Sequence, residues 1–229
     1  MKGFIKPIGG FAETDISAMF SLMSEFYDNM DETVFRRDFA DKDYCLALYD
    51  GERIVGFTTQ KLLTVKVDGH DIHGMFSGDT IIHRDYWGDI ELFRVWAQFW
   101  FDYAEKYEEF YWFLICKGYK TYRIMPLFWR DYYPNYKTPT PEYEQKIIHA
   151  YASLLYPEDY NPETGVIEYR HTKDKLRAGV ADAEPGKLKN KDVAFFCNAN
   201  PGHADGNDLA CLTKIDRAVL KTHAPEILF

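Results

Sequence analysis

The chain has 229 residues, 46 % of them apolar and 17 % aromatic, and carries a net charge of −9. That length suits one domain, or one domain with a large extension, and the apolar share fills a substantial core. The acidic balance argues against a dedicated nucleic-acid binder, and no run of about eighteen apolar residues offers a membrane span.

Residues 1–7 lack the apolar centre of a signal peptide, so a cytoplasmic protein is expected. Cys45, Cys116, Cys197 and Cys211 are scattered through apolar runs with no CxxC pair. No histidine stands near them at zinc spacing, so they read as buried, reduced thiols and no metal is expected.

Residues 4–8 read as a first strand, closed by Gly9-Gly10. Ile16, Met19, Phe20, Met23, Phe26 and Tyr27 keep helical spacing, which predicts a helix over 15–27 capped by Thr14 or Asp15. A second short helix covers 31–39. Residues 44–49 form a strand, Asp50-Gly51 a hairpin turn, and 53–67 a long second arm. Asp68-Gly69 turns the chain into a third strand over 72–83, where Gly74 and Gly78 signal a bulge or a close backbone approach. From 89 to 107 nearly every residue is apolar or aromatic except a stripe of Glu91, Arg94, Gln98, Asp102 and Glu105. That period predicts a helix buried on most sides, with Trp96, Phe99, Trp100 and Tyr103 inside.

Residues 110–115 are wholly apolar, as in a strand covered on both faces. Residues 120–129 read as a helix broken at Pro126, and 142–155 as another helix. Residues 157–191, rich in charge, Gly and Pro, read as a surface excursion. Residues 193–197 and 209–212 read as a final strand pair joined by a long loop through Asn200-Pro201-Gly202-His203. In all, one domain over 1–229 is expected, with 138–192 inserted before the last two strands.

This order resembles the GNAT superfamily of acyltransferases, over roughly 4–134 and 193–214. The best local match is Gly78-Asp79-Thr80-Ile81-Ile82-His83-Arg84-Asp85-Tyr86-Trp87-Gly88-Asp89. It looks like the superfamily's fourth strand entering the loop that holds the pyrophosphate of acyl-CoA. The resemblance implies an α+β fold whose mixed, mainly antiparallel sheet is flanked by helices. It also implies a donor site at Ile81, Ile82, Arg84, Gly88, Asp89 and Ile90. The loop itself departs from the family pattern Gln/Arg-x-x-Gly-x-Gly/Ala. Trp87 falls at the Gln/Arg position, Ile90 and Leu92 fall where small residues are expected, and Asp85, Asp89 and Glu91 add negative charge. Pyrophosphate binding in the family's usual manner is therefore not expected.

The resemblance also implies attack of an amine on a thioester, helped by a base on the fourth strand and an acid after the fifth. Asp79 and His83 are the candidate bases; four residues apart, they share a face if the strand is regular. Each also has an ordinary role open to it as a strand-end hydrogen-bonding group. Of Tyr119, Tyr122, Tyr132 and Tyr133, Tyr122 is the candidate acid. Cys116 ends the fifth strand without an activating neighbour in sequence.

The first reading of function is an N-acyltransferase moving an acyl group from acyl-CoA, or from an acyl carrier protein, to a small amine. The second is a catalytically inactive module of the same shape that holds an apolar ligand or a protein partner, as the altered loop allows. The aromatic richness suits either.

Overall fold

The computed structural model describes residues 1–171, 173–180 and 185–229. The chain opens with β1 (Lys2–Pro7), α1 (Glu13–Ser24), the two-residue β2 (Tyr27–Asp28) and α2 (Glu32–Ala40). Three long strands follow, β3 (Tyr44–Asp50), β4 (Arg53–Val67) and β5 (His70–Ile82). Asp68 and Gly69, both at positive φ, make the two-residue turn between β4 and β5. Then come α3 (Glu91–Ala104), β6 (Phe110–Cys116), α4 (Tyr119–Tyr122), α5 (Ile124–Phe128) and α6 (Glu142–Leu155). Three two-residue strands, β7 (Tyr160–Asn161), β8 (Val166–Ile167) and β9 (Lys175–Leu176), precede α7 (Lys191–Ala199), β10 (Asp208–Lys214) and α8 (Ala224–Leu228).

Eight strands form one sheet in the order β1-β3-β4-β5-β6-β10-β8-β7, and β2 pairs with β9 separately. Every neighbouring pair in the large sheet is antiparallel except β5 with β6. This is the α+β, mainly antiparallel arrangement that the sequence implies.

Side-chain alternation divides the apolar residues between two faces. Leu46, Leu48, Met75, Trp112, Leu114 and Cys116 point to one side, where α3 lays Leu92, Trp96 and Trp100 against them. On the opposite side, Cys45, Ala47 and Phe57 pack under α1 and α2. Further along that side, Phe76, Tyr111 and Phe113 pack under α6. The apolar run of β6 is thus covered twice, as its composition requires.

Gly74 marks a close approach of strand to strand. A Cβ there would stand 2.5 Å from the Tyr111 carbonyl oxygen and 2.7 Å from the Tyr151 hydroxyl. Gly78 marks a bulge: Thr58 pairs with Thr80 and Gln60 with Ser77, so Thr59 alone faces both Gly78 and Asp79.

Several expectations need correction. Residues 193–197 are helical, not a strand. The Asn190 side chain accepts from the Asp192 and Val193 amides, and Val193 and Phe196 share the buried face. A short apolar run of this kind has no period of its own to separate strand from helix. The first helix ends at Ser24 because Tyr27 and Asp28 find partners in Leu176 and Lys175, far away in sequence. The break expected at Pro126 lies at Arg123, and Pro126 sits in the first turn of α5, where its missing N–H costs nothing. Phe99 and Tyr103 are half-buried, whereas Trp96 and Trp100 are fully enclosed. Within 157–191, Val166 and Ile167 join the sheet beside β10, so that stretch is more than a surface excursion; residues 172 and 181–184 of it lie outside the described residues.

Trp96→Ala, which empties a site whose ring centroid lies 4.5 Å from that of Trp112, is expected to cost about 3–5 kcal/mol in urea unfolding. Phe99→Ala should cost clearly less. Gly74→Ala should cost about 1–3 kcal/mol or more by overpacking, because backbone and Tyr151 both block the new methyl group; an unchanged urea midpoint would contradict this geometry.

Candidate active site

The site arises where two parallel strands part. β5 and β6 stay in register from His73 with Phe110 to Ser77 with Leu114. Beyond that point β5 continues against β4 and β6 against β10. The opening between them leads into a cavity of about 630 Å³. Its walls come from both faces of the sheet. Phe93, Ile124 and Phe128 belong to the α3 side, Phe26, Tyr27 and Val180 to the α1 side, and Phe76 and Tyr156 to the α6 side. The cavity therefore runs through the sheet and has two chemically different ends.

The end on the α3 side is apolar with a basic rim. Ile82, Ile90, Phe93, Ile124 and Phe128 line it, and Lys120 and Arg123 stand at α4 and α5. The Trp87 indole donates to the Ile82 carbonyl at 2.8 Å, capping the last oxygen of β5. Lys120 Nζ lies 3.7 Å from the Trp87 ring centroid. Gly88 has φ +98°, with nothing against its Cα. The first amide of α3 is already used: Glu91 N–H donates to Asp89 Oδ1 at 2.7 Å. A carboxylate of the chain itself thus occupies the place where an anion would meet the helix dipole.

The end on the α6 and α2 side is polar and charged. Asp38, Asp79, Asp174 and Asp208 line it with Lys117 and Lys173. Lys117 Nζ reaches Asp208 at 3.0 Å and Asp174 at 3.7 Å, and donates to the Gly206 carbonyl at 2.9 Å. Lys173 pairs with Asp174 at 3.0 Å, and Tyr169 donates to Asp208 at 2.8 Å. Although burial opposes it, the two lysines hold the Asp174 carboxyl below its usual range. Lys42, itself buried, pairs with Asp38 at 2.6 Å.

Asp79 differs from its neighbours. The bulge turns it into this end of the cavity, and among the described residues its carboxylate takes no hydrogen bond. Burial pushes its pKa up to about 6; Asp38 and Asp174 push the same way, and Lys42 and Lys173 only partly oppose them. A carboxylate so tuned is ionised at neutral pH yet basic enough to take up a proton.

The residues singled out in the sequence fall into two groups. Asp79, Ile81, Ile82, Gly88, Asp89 and Ile90 line the cavity. His83 lies just past the end of β5 and does not line it: its Nδ1 accepts from the Asp85 amide, and its Nε2 stands 3.7 Å from Glu25. Arg84 also lies outside the lining, with its guanidinium 5.3 Å from the Phe26 ring centroid. Tyr122 is fully enclosed in the core on the α3 side, where it donates to the Pro134 carbonyl at 2.8 Å. Burial raises its pKa far above the ordinary phenol value. Tyr119 and Tyr132 are buried away from the lining as well, and burial, reinforced by Cys211, raises the Cys116 thiol.

The tyrosines that do reach the cavity are Tyr27, Tyr156 and Tyr169. Nothing local marks them, since each depends on a long-range contact. Lys117 and Asp208 carry a weak signal: each is a charged residue at the end of an apolar strand, aligned there by the β6–β10 pairing.

No family model matches this chain, and no curated protein does. Among solved structures, one similar chain is a conserved protein of unknown function from Enterococcus faecalis V583, a probable N-acyltransferase. It is 13 % identical with a TM-score of 0.43, over 57 % of this chain and 33 % of that one, so this chain spans a third of its length. A GNAT family N-acetyltransferase (YhbS) from Escherichia coli in complex with CoA is 13 % identical, with a TM-score of 0.39, over 56 % and 69 %. A ribosomal-protein-alanine N-acetyltransferase from Brucella melitensis biovar Abortus 2308 is 16 % identical, with a TM-score of 0.35, over 46 % and 73 %.

Proposed function

We propose that the chain is an N-acyltransferase in which a thioester donor enters from the α3 side and a small amine from the opposite end. The reading rests on one observation above all: at the bulge, Asp79 enters the lining of the cavity between the parted strands. In this reaction Asp79 takes one proton from the incoming ammonium group. The neutral nitrogen attacks the thioester carbonyl carbon, a C–N bond forms and the C–S bond breaks. The second nitrogen proton passes to the departing thiolate, so charge and atoms balance. Backbone groups on the free edge of β5 suit the amides of a pantetheine arm, carried by CoA or by an acyl carrier protein.

The phosphate end of the donor needs a different anchor from the usual one. Asp89 already accepts from the first amide of α3, and a pyrophosphate would lie against its charge. Lys120, whose Nζ lies over the Trp87 ring, and Arg123 are the cations on the facing wall. The same Asp89 contact also favours the second reading, a ligand-holding module without transfer. The two are separated by thermal shift with acetyl-CoA, long-chain acyl-CoA and free fatty acid, followed by thiol-release assays with primary amines. A donor that binds only the native state must raise the melting temperature. Stabilisation by fatty acid alone, with no thiol release, would replace the acyltransferase by the binding module.

Asp79→Asn is expected to lower turnover by about 10²–10⁴-fold, the usual worth of a positioned base. The rise of kcat/KM through pH about 6 in the parent protein should be lost in this variant; a retained rise would remove Asp79 from the role.

The same substitution has a signed effect on stability. A carboxyl whose folded pKa lies above its unfolded value holds its proton more tightly in the folded state. Its contribution therefore declines as pH climbs from about 4 through about 6, and ionised Asp79 destabilises above that. Asp79→Asn should stabilise by about 1–3 kcal/mol at pH 7 and change little near pH 4, as read from urea midpoints at the two pH values.

A further inference from the structure

The charge balance at the polar end selects among amines. Asp38 is matched by Lys42, and Asp174 and Asp208 share Lys117 and Lys173. Four carboxylates thus face three ammonium groups among the described residues, and the one left over is Asp79. Two further polar groups at this end are unmatched. Tyr27 and Tyr156 line the cavity, and their hydroxyls make no hydrogen bond among the described residues. Both phenols are raised by burial and by the surrounding carboxylates, Asp79 among them, so they remain neutral. Polar groups left unpaired in a cavity mark where a ligand supplies the missing partners.

The shape of the rest of this end is aromatic. Phe76 meets Tyr156 edge to face at 6.3 Å, and Tyr156 meets Tyr169 in the same way at 6.3 Å. Lys117 and Lys173 already lie over the Tyr169 ring, at 5.0 and 5.5 Å. The rings of Tyr27, Phe76 and Tyr156 are left to wall an apolar body.

We infer that the acceptor is a primary monoamine with an aromatic or apolar body and no carboxylate, bound through its ammonium group to Asp79 between Tyr27 and Tyr156. This deepens the acyltransferase reading and rests on it only for the word acceptor. A carboxylate on the ligand would find every lysine at this end already paired and would face Asp38, Asp174 and Asp208. Exclusion of amino acids is therefore built from like charge as much as from fit.

Binding is tested without any thioester, by titration calorimetry with 2-phenylethylamine, phenylalanine and 3-phenylpropionate. The amine should bind about ten-fold or more tighter than phenylalanine, with no heat from the acid, and Asp79→Asn should weaken the amine by about ten-fold or more. That variant is expected to be at least as stable as the parent at pH 7, and Tyr156→Phe, which keeps the ring, should weaken the amine by a smaller factor. Equal or tighter binding of phenylalanine, unchanged amine binding in Asp79→Asn, or no binding of the amine to the parent protein would each overturn the inference. Amine binding with no transfer from any thioester would overturn the acyltransferase reading and leave this one standing. Transfer onto amino acids in preference to monoamines would do the reverse.

Discussion

The parting of β5 from β6 is the constraint on which the rest of the molecule depends. Two parallel strands that stop pairing expose N–H and C=O groups along both inner edges, and such groups must find partners. Each strand keeps its outer neighbour, β4 for β5 and β10 for β6, so the sheet survives the gap. The inner edges are completed piecemeal. Trp87 returns to the Ile82 carbonyl on the β5 edge, while Lys117, just past β6, bonds to the Gly206 carbonyl and Asp208 on the β10 side. What is not completed becomes the wall of a cavity.

Holding such a gap open requires rigid flanks. On one side α3 supplies them through Trp96 and Trp100, whose rings lock against Trp112 and Phe110. On the other side Gly74 lets Tyr151 of α6 close onto the backbone just where β5 and β6 are still paired. The bulge at Gly78 and Asp79 comes immediately after that clamp. A bulge re-aims one side chain without disturbing the strand beyond it, and here the side chain it turns is the unmatched carboxylate.

Much of this was legible before the structure, and the reasons differ by element. Asp50-Gly51 and Asp68-Gly69 set the hairpins, so β4 was readable to the residue. The broad apolar arc of α3 and the unbroken run of β6 identified two layers and a strand between them. Asp79 entered the sequence analysis through the resemblance, which places a base on the fourth strand, and the structure sets it in the cavity lining. Residues 193–197 misled because a five-residue apolar run fits either period, and the Asn190 cap that decides it lies outside the run. Tyr122 misled for a related reason: proximity to β6 in sequence says nothing about which side of a four-residue helix faces the gap. Tyr27, Tyr156, Tyr169 and Asp174 reach the cavity only through the β2–β9 pairing and the docking of α6, neither of which has a local signature.

The two ends of the cavity show how one fold can shift the source of its recognition. Where the superfamily pattern uses glycines and bare amides to meet pyrophosphate, this chain places Asp89 on the first amide of α3 and Trp87 over the last carbonyl of β5. Across the gap, Lys120 and Arg123 stand on the facing wall. Between the two ends runs an apolar passage lined by Ile82, Ile90, Phe93 and Ile124. At the far end the balance is inverted: three lysines are bound by carboxylates of the chain, and the unmatched charge is negative. On the reading proposed above, an ammonium group completes the set at Asp79, whereas a neutral or anionic group finds no partner there.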